Sequence, residues 1–424
     1  MNERSSMDAV SGTAARPQGS RSAWARLDKL VLRVCARLLG NAIEGRLQLI
    51  LPSGASITLG HASASDRVAH LLLNSYAVFW RSLRRGSIGF AESYLAGEID
   101  SDDLVALFRF YIDNRMPLRR AGWGWFRVRG QDRAFHHTRA NTRNGSRANI
   151  AAHYSLGNDF YRLWLDTSLT YSSALYTSPD LSLEAAQQAK HDFILNALDL
   201  TTDHRLLEIG CGWGAFACQA ATRGARVACL TLCREQLVAA HNMLRAQGLE
   251  TRADLRLEDY RDVAGIYDRI VSIEMIEAVG EENWSLYFST LRDRLAPDGI
   301  VILQAITIDE ALFDTYRRKA DFIQRHIFPG GMLPTRSLII QHARASGFDV
   351  ELLKTPCLSY TRTIAEWRRR FRMNWPAIRA LGFDERFRRT WDYYLAYCQA
   401  GFERGTVDVG IYRLRPIGRQ QQSS

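Results

Sequence analysis

Nowhere in the 424 residues does an uninterrupted apolar run approach the ~18 residues of a membrane-spanning helix, and no signal-peptide core follows the first methionine. A cytoplasmic protein is expected on both counts. Cysteine is sparse: Cys35, Cys211, Cys218, Cys229, Cys233, Cys357 and Cys398 form neither a C-x-x-C pair nor a regular ladder. Reduced thiols and no structural metal are therefore expected. Acidic residues are outnumbered, 45 against 55 lysines and arginines, which leaves a formal charge of +10. That excess calls for an anionic partner, either nucleic acid or the anionic face of a membrane, and composition does not choose between them.

Residues 1–24 are Ser, Ala, Arg and Gly with almost no large apolar side chains, too little to order a chain, and residues 416–424 form a second expected tail. From Trp24 to Leu39, Leu27, Leu30, Val31, Val34 and Leu38 recur at helical spacing among Lys29, Arg33 and Arg37. Such a basic amphipathic helix either packs on the domain or lies on a membrane surface. Arg46–Leu59 holds two strand-like runs around Pro52-Ser53-Gly54, a hairpin signal. Helical and mixed segments follow, including Val68–Tyr76 and Asp102–Asn114, so that residues 25–115 make a small α+β domain with no catalytic constellation. In the linker at 116–148, Arg119, Arg120, Arg127, Arg129, Arg133, Arg139, Arg143 and Arg147 surround Trp123, Trp125 and Phe126. The same residue types serve a solvated linker, a lipid headgroup layer or a nucleic-acid groove.

Residues 149–415 alternate strands with helices: a helix Leu183–Leu198 capped by Ser182, strands at Leu206–Ile209, Arg226–Leu230, Ala253–Leu257, Arg269–Ile273 and Ile300–Gln304, and helices at Glu235–Gln247 and Trp284–Leu295 between them. The expected fold is α/β, a doubly wound, mostly parallel Rossmann-like sheet, with ligands beyond the carboxyl ends of its strands. Its first strand runs into RLLEIGCGWGAFACQAA, where Gly210, Gly212 and Gly214 let the backbone turn sharply and approach a ligand. Gly210, Gly212 and Ala215 also fit a dinucleotide fingerprint, but that fingerprint wants an acid about 20 residues on, where Ala228 to Thr231 stand instead. Glu208 before the glycines makes E-x-G-x-G-x-G, which resembles the first motif of S-adenosylmethionine-dependent methyltransferases.

Ahead of the sheet, HYSLGNDFYRLWLDTSLTYSSALY (His153–Tyr176) is dense in aromatics yet carries His153, Asn158, Asp159, Asp166 and Ser172, which suits a lid over a pocket. Together with Leu206–Gly214, Asp259-Tyr260-Arg261 and DRIVSIEMIEAVG (Asp268–Gly280), it resembles the cyclopropane fatty acid synthases and the mycolic acid cyclopropane synthases. The resemblance runs from about Gly45 to Arg415. It implies transfer of the S-adenosylmethionine methyl group to an acyl double bond of a membrane phospholipid, through a carbocation, giving a ring or a methyl or methylene branch. The implied partners are an anionic bilayer and an unsaturated acyl chain rather than nucleic acid, with the protein peripheral on the inner membrane face; a homodimer is compatible with this.

Carried over by position, the resemblance assigns Tyr171, Ser172, Glu208, Gly210, Gly212, Gly214, Thr231, Gln236, Tyr260 and Arg261 to S-adenosylmethionine. It assigns Ser173, Glu277, Gln304, Ile306 and Tyr360 to a bicarbonate ion that acts as the base, and Cys398 to a cysteine once held to be a nucleophile. Two positions depart from the family pattern: Gln304 stands where histidine is usual, and Ser173 where cysteine is usual. An amide donates to an anion but carries no titratable proton, so Gln304 bears on how the cation is quenched. Cys398 lies among Tyr393, Tyr394 and Tyr397 with no nearby cation, the setting of a structural thiol. FIQRHIFPGGML (Phe322–Leu333) offers Ile327, Phe328 and Met332 either as acyl-channel lining or as loop packing. Two other readings stay in view: a methyltransferase for another small molecule or for nucleic acid, which lacks the N/D-P-P-Y/F tetrapeptide of base-amino methylases, and a non-catalytic membrane-associated binding protein.

Overall fold

A computed structural model of the chain describes residues 28–35, 43–61, 68–120, 138–139 and 141–418. The expected N-terminal tail, residues 419–424 of the expected C-terminal one, Trp24 with Leu27 and Leu38, and the Trp123-to-Arg133 part of the arginine-rich linker lie outside them; Pro416, expected to open the C-terminal tail, instead ends a strand paired with Phe348. The N-terminal unit is built on four short strands: β1 (Leu47–Ile50), β2 (Ser56–Leu59), β3 (Ala69–Leu73) and β4 (Ile99–Asp100), in the order β2-β1-β3-β4. β1 and β2 form the expected hairpin, closed by Gly54 at φ +92°, whose N–H donates to the Leu51 carbonyl at 2.8 Å. The 68–76 stretch, expected to be helical or mixed, is a strand over β3, because it runs parallel to β1 with Leu47 beside Ala69 and so satisfies its backbone there. Helix Leu104–Asp113 begins where the Asp103 carboxylate accepts from the N–H groups of Val105 and Ala106. The 28–35 helix turns Asp28 and Cys35 inward, with the Tyr76 phenol donating to Asp28, and leaves Leu30 and Val34 exposed.

The second sheet has seven strands: β5 (Arg205–Ile209), β6 (Arg226–Thr231), β7 (Ala253–Leu257), β8 (Tyr267–Ile273), β9 (Leu295–Ile308), β10 (Phe348–Lys354) and β11 (Val407–Pro416). Their order is β10-β11-β9-β8-β5-β6-β7; β5 to β9 are parallel and only β11 and β10 run antiparallel. Alternate side chains go to opposite faces. Leu207, Ile209, Ile270 and Val301 pack with Trp284, Tyr287 and Phe288 of helix Trp284–Arg294. Leu206, Val227, Val271 and Ile302 pack on the other side, where Ile194 and Leu195 of helix Leu183–Ala197 cover them. Ser182 caps that helix through the Ala185 N–H, as expected. The doubly wound, mostly parallel sheet is the fold that the alternating pattern implied.

A third layer covers the carboxyl end of this sheet. Helices Cys357–Met373 and Glu385–Glu403 and the 153–176 segment share one apolar cluster with the N-terminal unit. Arg389 locks the two units together: its guanidinium donates to the carbonyls of Tyr94 and Ile99 at 2.5 and 2.8 Å and lies 4.0 Å over the Tyr94 ring. A buried charge with that many partners orients the packing rather than weakening it.

Candidate active site

The glycine loop follows β5, and its three glycines answer different constraints. Gly210 sits at φ +81°, and a Cβ there would lie 2.2 Å from Met275 Cγ. Gly214 is at φ +90°, and a Cβ there would meet Ala240 Cβ at 2.8 Å, so this glycine lets the next helix pack on Arg234–Ala246. Gly212, at φ +52°, has nothing within 4 Å of a Cβ and opens into a pocket. That pocket lies at the carboxyl ends of the central strands and is lined by Tyr171, Ser172, Glu208, Gly210, Gly212, Thr231, Gln236 and Tyr260. Gly214 and Arg261 are not part of the lining. Arg261 instead pairs with Asp259 at 2.7 Å and donates to the Asn141 carbonyl at 3.0 Å, fixing the start of the domain to the loop after β7.

The pocket holds buried polar groups that are short of partners. One Glu208 carboxylate oxygen and the Tyr260 phenol are buried with no hydrogen bond, while Thr231 donates to the Gln236 side-chain oxygen at 3.0 Å. Burial pushes the Glu208 carboxyl up to about 8 against the pull of Lys190. Lys190 is itself fully buried, donates to Ser172 Oγ at 2.7 Å, and is pushed down to about 8 by burial, with Glu274, Asp166 and Glu208 opposing the shift. Three carboxyl groups around one lysine leave the site ready for a further cation. S-adenosylmethionine, with its ammonium and sulfonium charges, fits such a donor and acceptor set.

A second cavity, about 760 Å³, adjoins the first and is mostly apolar. The N-terminal unit supplies part of its wall through Leu47, Leu71, Phe108 and Tyr111, and the large domain supplies Ile306, Phe328, Met332, Tyr394 and Cys398. Ile150, Tyr154, Tyr171, Glu274 and Met275 line both spaces and mark where they meet. Aromatic faces crowd this junction: His153 stacks on Tyr171 at 5.6 Å, and Tyr154 meets Tyr171 edge-on at 6.4 Å. His153 donates from Nδ1 to the Ile327 carbonyl at 3.0 Å and burial holds it at about 3, so the ring is neutral.

Three of the expected anion ligands converge, but on a side chain that the sequence reading did not single out. Glu274 directly follows β8 at φ +52°, a left-handed conformation that costs a non-glycine residue ~1–2 kcal/mol. Its carboxylate accepts from the Ser173 N–H at 2.8 Å, from Gln304 Nε2 at 2.7 Å and from the Tyr360 phenol at 2.6 Å. Glu277 is separate: one oxygen accepts from the Ile306 N–H at 2.5 Å, the other has no partner, and burial with the neighbouring Glu274 raises the group to about 8. A bicarbonate ion does not fit this arrangement, because the donors of Ser173, Gln304, Tyr360 and Ile306 are already spent on carboxylates and only Glu277, of the five residues assigned to it, keeps an unpartnered oxygen. Cys398 lines the apolar cavity, and burial pushes its thiol far up, away from thiolate chemistry. Lys190 was also missed, although it continues the buried Ala186–Ile194 stripe at four-residue spacing, where a lysine has to have a reason.

A seven-stranded sheet whose first strand feeds an acid-and-glycine loop over this cationic-ligand pocket defines an S-adenosylmethionine-dependent methyltransferase. Residues 141–411 match the model of the family described as mycolic acid cyclopropane synthetase. The chain is 36% identical to tuberculostearic acid methyltransferase of Mycobacterium tuberculosis, covering 91% of this chain and 93% of that one. It is 35% identical to the cyclopropane-fatty-acyl-phospholipid synthase of Escherichia coli K12, covering 85% and 90%. Among solved structures, a mycolic acid cyclopropane synthase complexed with SAH and CTAB aligns at a TM-score of 0.60 and 32% identity, over 63% of this chain and 97% of the other. The protein belongs to the mycolic acid cyclopropane synthetase family, the S-adenosylmethionine-dependent lipid methyltransferases that form cyclopropane rings and methyl branches.

Proposed function

We propose that the protein methylates the double bond of an unsaturated acyl chain carried by a membrane phospholipid, through a carbocation, to give a cyclopropane or a branched chain. The observation that carries this reading is the meeting of the glycine-loop pocket with a mostly apolar cavity at Tyr154, Tyr171, Glu274 and Met275. The cavity falls within the ~300–1,000 Å³ of sites that enclose small ligands, and its walls suit a hydrocarbon chain. S-adenosylmethionine supplies the electrophilic methyl group when bound. Glu208 offers it a carboxylate, and Gly212 leaves room for its close approach. An alkene is a poor nucleophile, so holding it in line in a dry junction is where orientation contributes most. Tyr154 and Tyr171 line the junction, and aromatic rings stabilise a nearby cation.

Membrane access is supported by helix Ala77–Arg85, whose outward face sets Trp80 (69% exposed) and Leu83 (64% exposed) beside Arg81, Arg84 and Arg85. Arginines near an anionic bilayer and a tryptophan at headgroup depth are the residues such a surface selects. Among the described residues no helix is long and apolar enough to cross a membrane. The test is to incubate the protein with methyl-labelled S-adenosylmethionine and vesicles of monounsaturated phospholipid, anionic or neutral, and to analyse the acyl chains by mass spectrometry. The expected result is a one-carbon gain at the double bond, faster on anionic vesicles and slowed by salt, which screens charges beyond ~8 Å at physiological ionic strength. Label found in no acyl chain would reject the proposal.

A further inference from the structure

The donors that the family resemblance reserves for a separate base are filled by the chain itself. We infer that the Glu274 carboxylate takes the proton from the carbocation, so that this protein works without bicarbonate. The inference rests on the proposed methyl transfer and adds the identity of its base.

Geometry carries it. Glu274 lines both the cofactor pocket and the apolar cavity, as a base must if it acts at a carbon between the two. Ser173, Gln304 and Tyr360 reach it from three separate parts of the chain, at 2.8, 2.7 and 2.6 Å. The strand end holds a glutamate in a left-handed conformation, where glycine is the relaxed choice, and its own N–H donates to the Gln304 carbonyl at 2.8 Å. Strain kept at a site boundary points to function. Gln304 completes the logic: an amide orients a carboxylate and cannot compete with it for the proton. Burial raises the Glu274 carboxyl against the lowering pull of Tyr360, Ser173, Lys190 and Gln304, in the direction a base working near neutral pH requires.

The step balances. The alkene π pair forms the bond to the methyl carbon, and the pair of the broken S–CH₃ bond stays on sulfur, which becomes a neutral thioether. Positive charge now sits on the adjacent acyl carbon. A C–H bond of the added methyl then breaks and its electron pair closes the three-membered ring, or, where a 1,2-hydride shift has first moved the cation to the methyl-bearing carbon, forms a methylene double bond; in either case the proton goes to a Glu274 oxygen. Release of that one proton per turnover resets the carboxylate. A saturated methyl branch would need a further two electrons from a reductant, and this step does not make one.

The experiment compares turnover in carbon-dioxide-free buffer with and without added bicarbonate, for the wild type, Glu274→Gln and Glu274→Gly, alongside binding of ¹³C-bicarbonate by NMR and of S-adenosylmethionine by calorimetry. The wild type should turn over equally in both buffers and bind no bicarbonate. Glu274→Gln should bind S-adenosylmethionine yet lose about 100-fold or more in turnover, the loss typical of a removed general base. Glu274→Gly, which empties the space between Ser173, Gln304 and Tyr360, should bind ¹³C-bicarbonate and regain turnover as it is added. Wild-type turnover that rises with bicarbonate, or an undiminished Glu274→Gln rate, overturns the inference while leaving methyl transfer intact. Were the wild type to methylate no lipid, the function would fail instead, and saturable ¹³C-bicarbonate binding by the wild type would still overturn the assignment of its site to Glu274.

Discussion

The Tyr360 phenol and the Glu274 carboxylate meet at 2.6 Å across 86 residues of chain, one on the helix Cys357–Met373 of the covering layer and the other at the carboxyl end of β8. The contact ties the cap to the sheet at the point where the two cavities join. Burial and the adjacent Glu274 drive the phenol well above its usual range, so Tyr360 is protonated and donates around neutral pH.

Removing that donor should slow chemistry more than it weakens cofactor binding. A hydrogen bond to a charged group contributes ~1.5–3 kcal/mol. For Tyr360→Phe this corresponds to a roughly 10- to 100-fold drop in single-turnover rate. Affinity for S-adenosylmethionine, titrated by calorimetry, should be unchanged, because Tyr360 lines only the apolar cavity. An unaltered rate would remove Tyr360 from the site.

Gly212→Val isolates the open glycine of the loop. No atom lies within 4 Å of a Cβ there, so the side chain meets only the space reserved for the cofactor, at a backbone φ of +52° that a β-branched residue tolerates poorly. S-adenosylmethionine binding should be lost while the far-ultraviolet dichroism stays that of the wild type. Retained affinity would move the cofactor away from this loop.

Cofactor binding should be linked to a proton at Glu208. Its carboxyl, raised to about 8 by burial, is protonated in the free protein at neutral pH, and a cationic ligand favours the ionised form. Binding then expels a proton below pH 8, so affinity should rise with pH and level off above about 8. The sign for stability is opposite: a carboxyl raised above its unfolded value of ~4.3 stabilises the free fold at low pH, and that contribution fades as pH climbs through about 8. Calorimetry in buffers of different ionisation heat counts the proton. Glu208→Gln should abolish its release.

Strand-and-helix alternation and the glycine loop made the large domain legible, since periodicity and a backbone demand for glycine are local properties of a sequence. β3 was not: Ala69–Leu73 is a strand because β1 offers it an open edge, a fact of tertiary pairing. The cofactor-pocket residues from Tyr171 to Tyr260 lie next to recognisable turns, whereas Arg261 turns away to Asp259 because ion-pair geometry overrides position in a motif. Glu274 was in plain view three residues before Glu277, but a single helical turn there sends the two carboxylates to different partners. Ser173, Gln304 and Tyr360 could be seen to belong together; that they close on Glu274 depends on a positive φ that no pattern of residue types announces.

The two carboxylates can be separated by their amides. Glu277 is raised to about 8, so at pH 7 it is mostly the neutral acid, and glutamine is close to that acid in shape and charge. In Glu277→Gln the amide oxygen can still accept from the Ile306 N–H, which otherwise would be a buried donor left unpaired at a cost of ~1–3 kcal/mol. Turnover at pH 7 should therefore stay within a few-fold of the wild type, whereas Glu277→Leu should lower the melting temperature by stranding that N–H. Glu274→Gln, in contrast, keeps the shape of an ionised base and removes its ability to take a proton. Measuring both amide variants at pH 7 and again at pH 9, where Glu277 is ionised in the wild type, decides which carboxylate does the chemistry. A Glu277→Gln enzyme that has lost turnover at pH 7 beside an active Glu274→Gln would assign the proton to Glu277 instead.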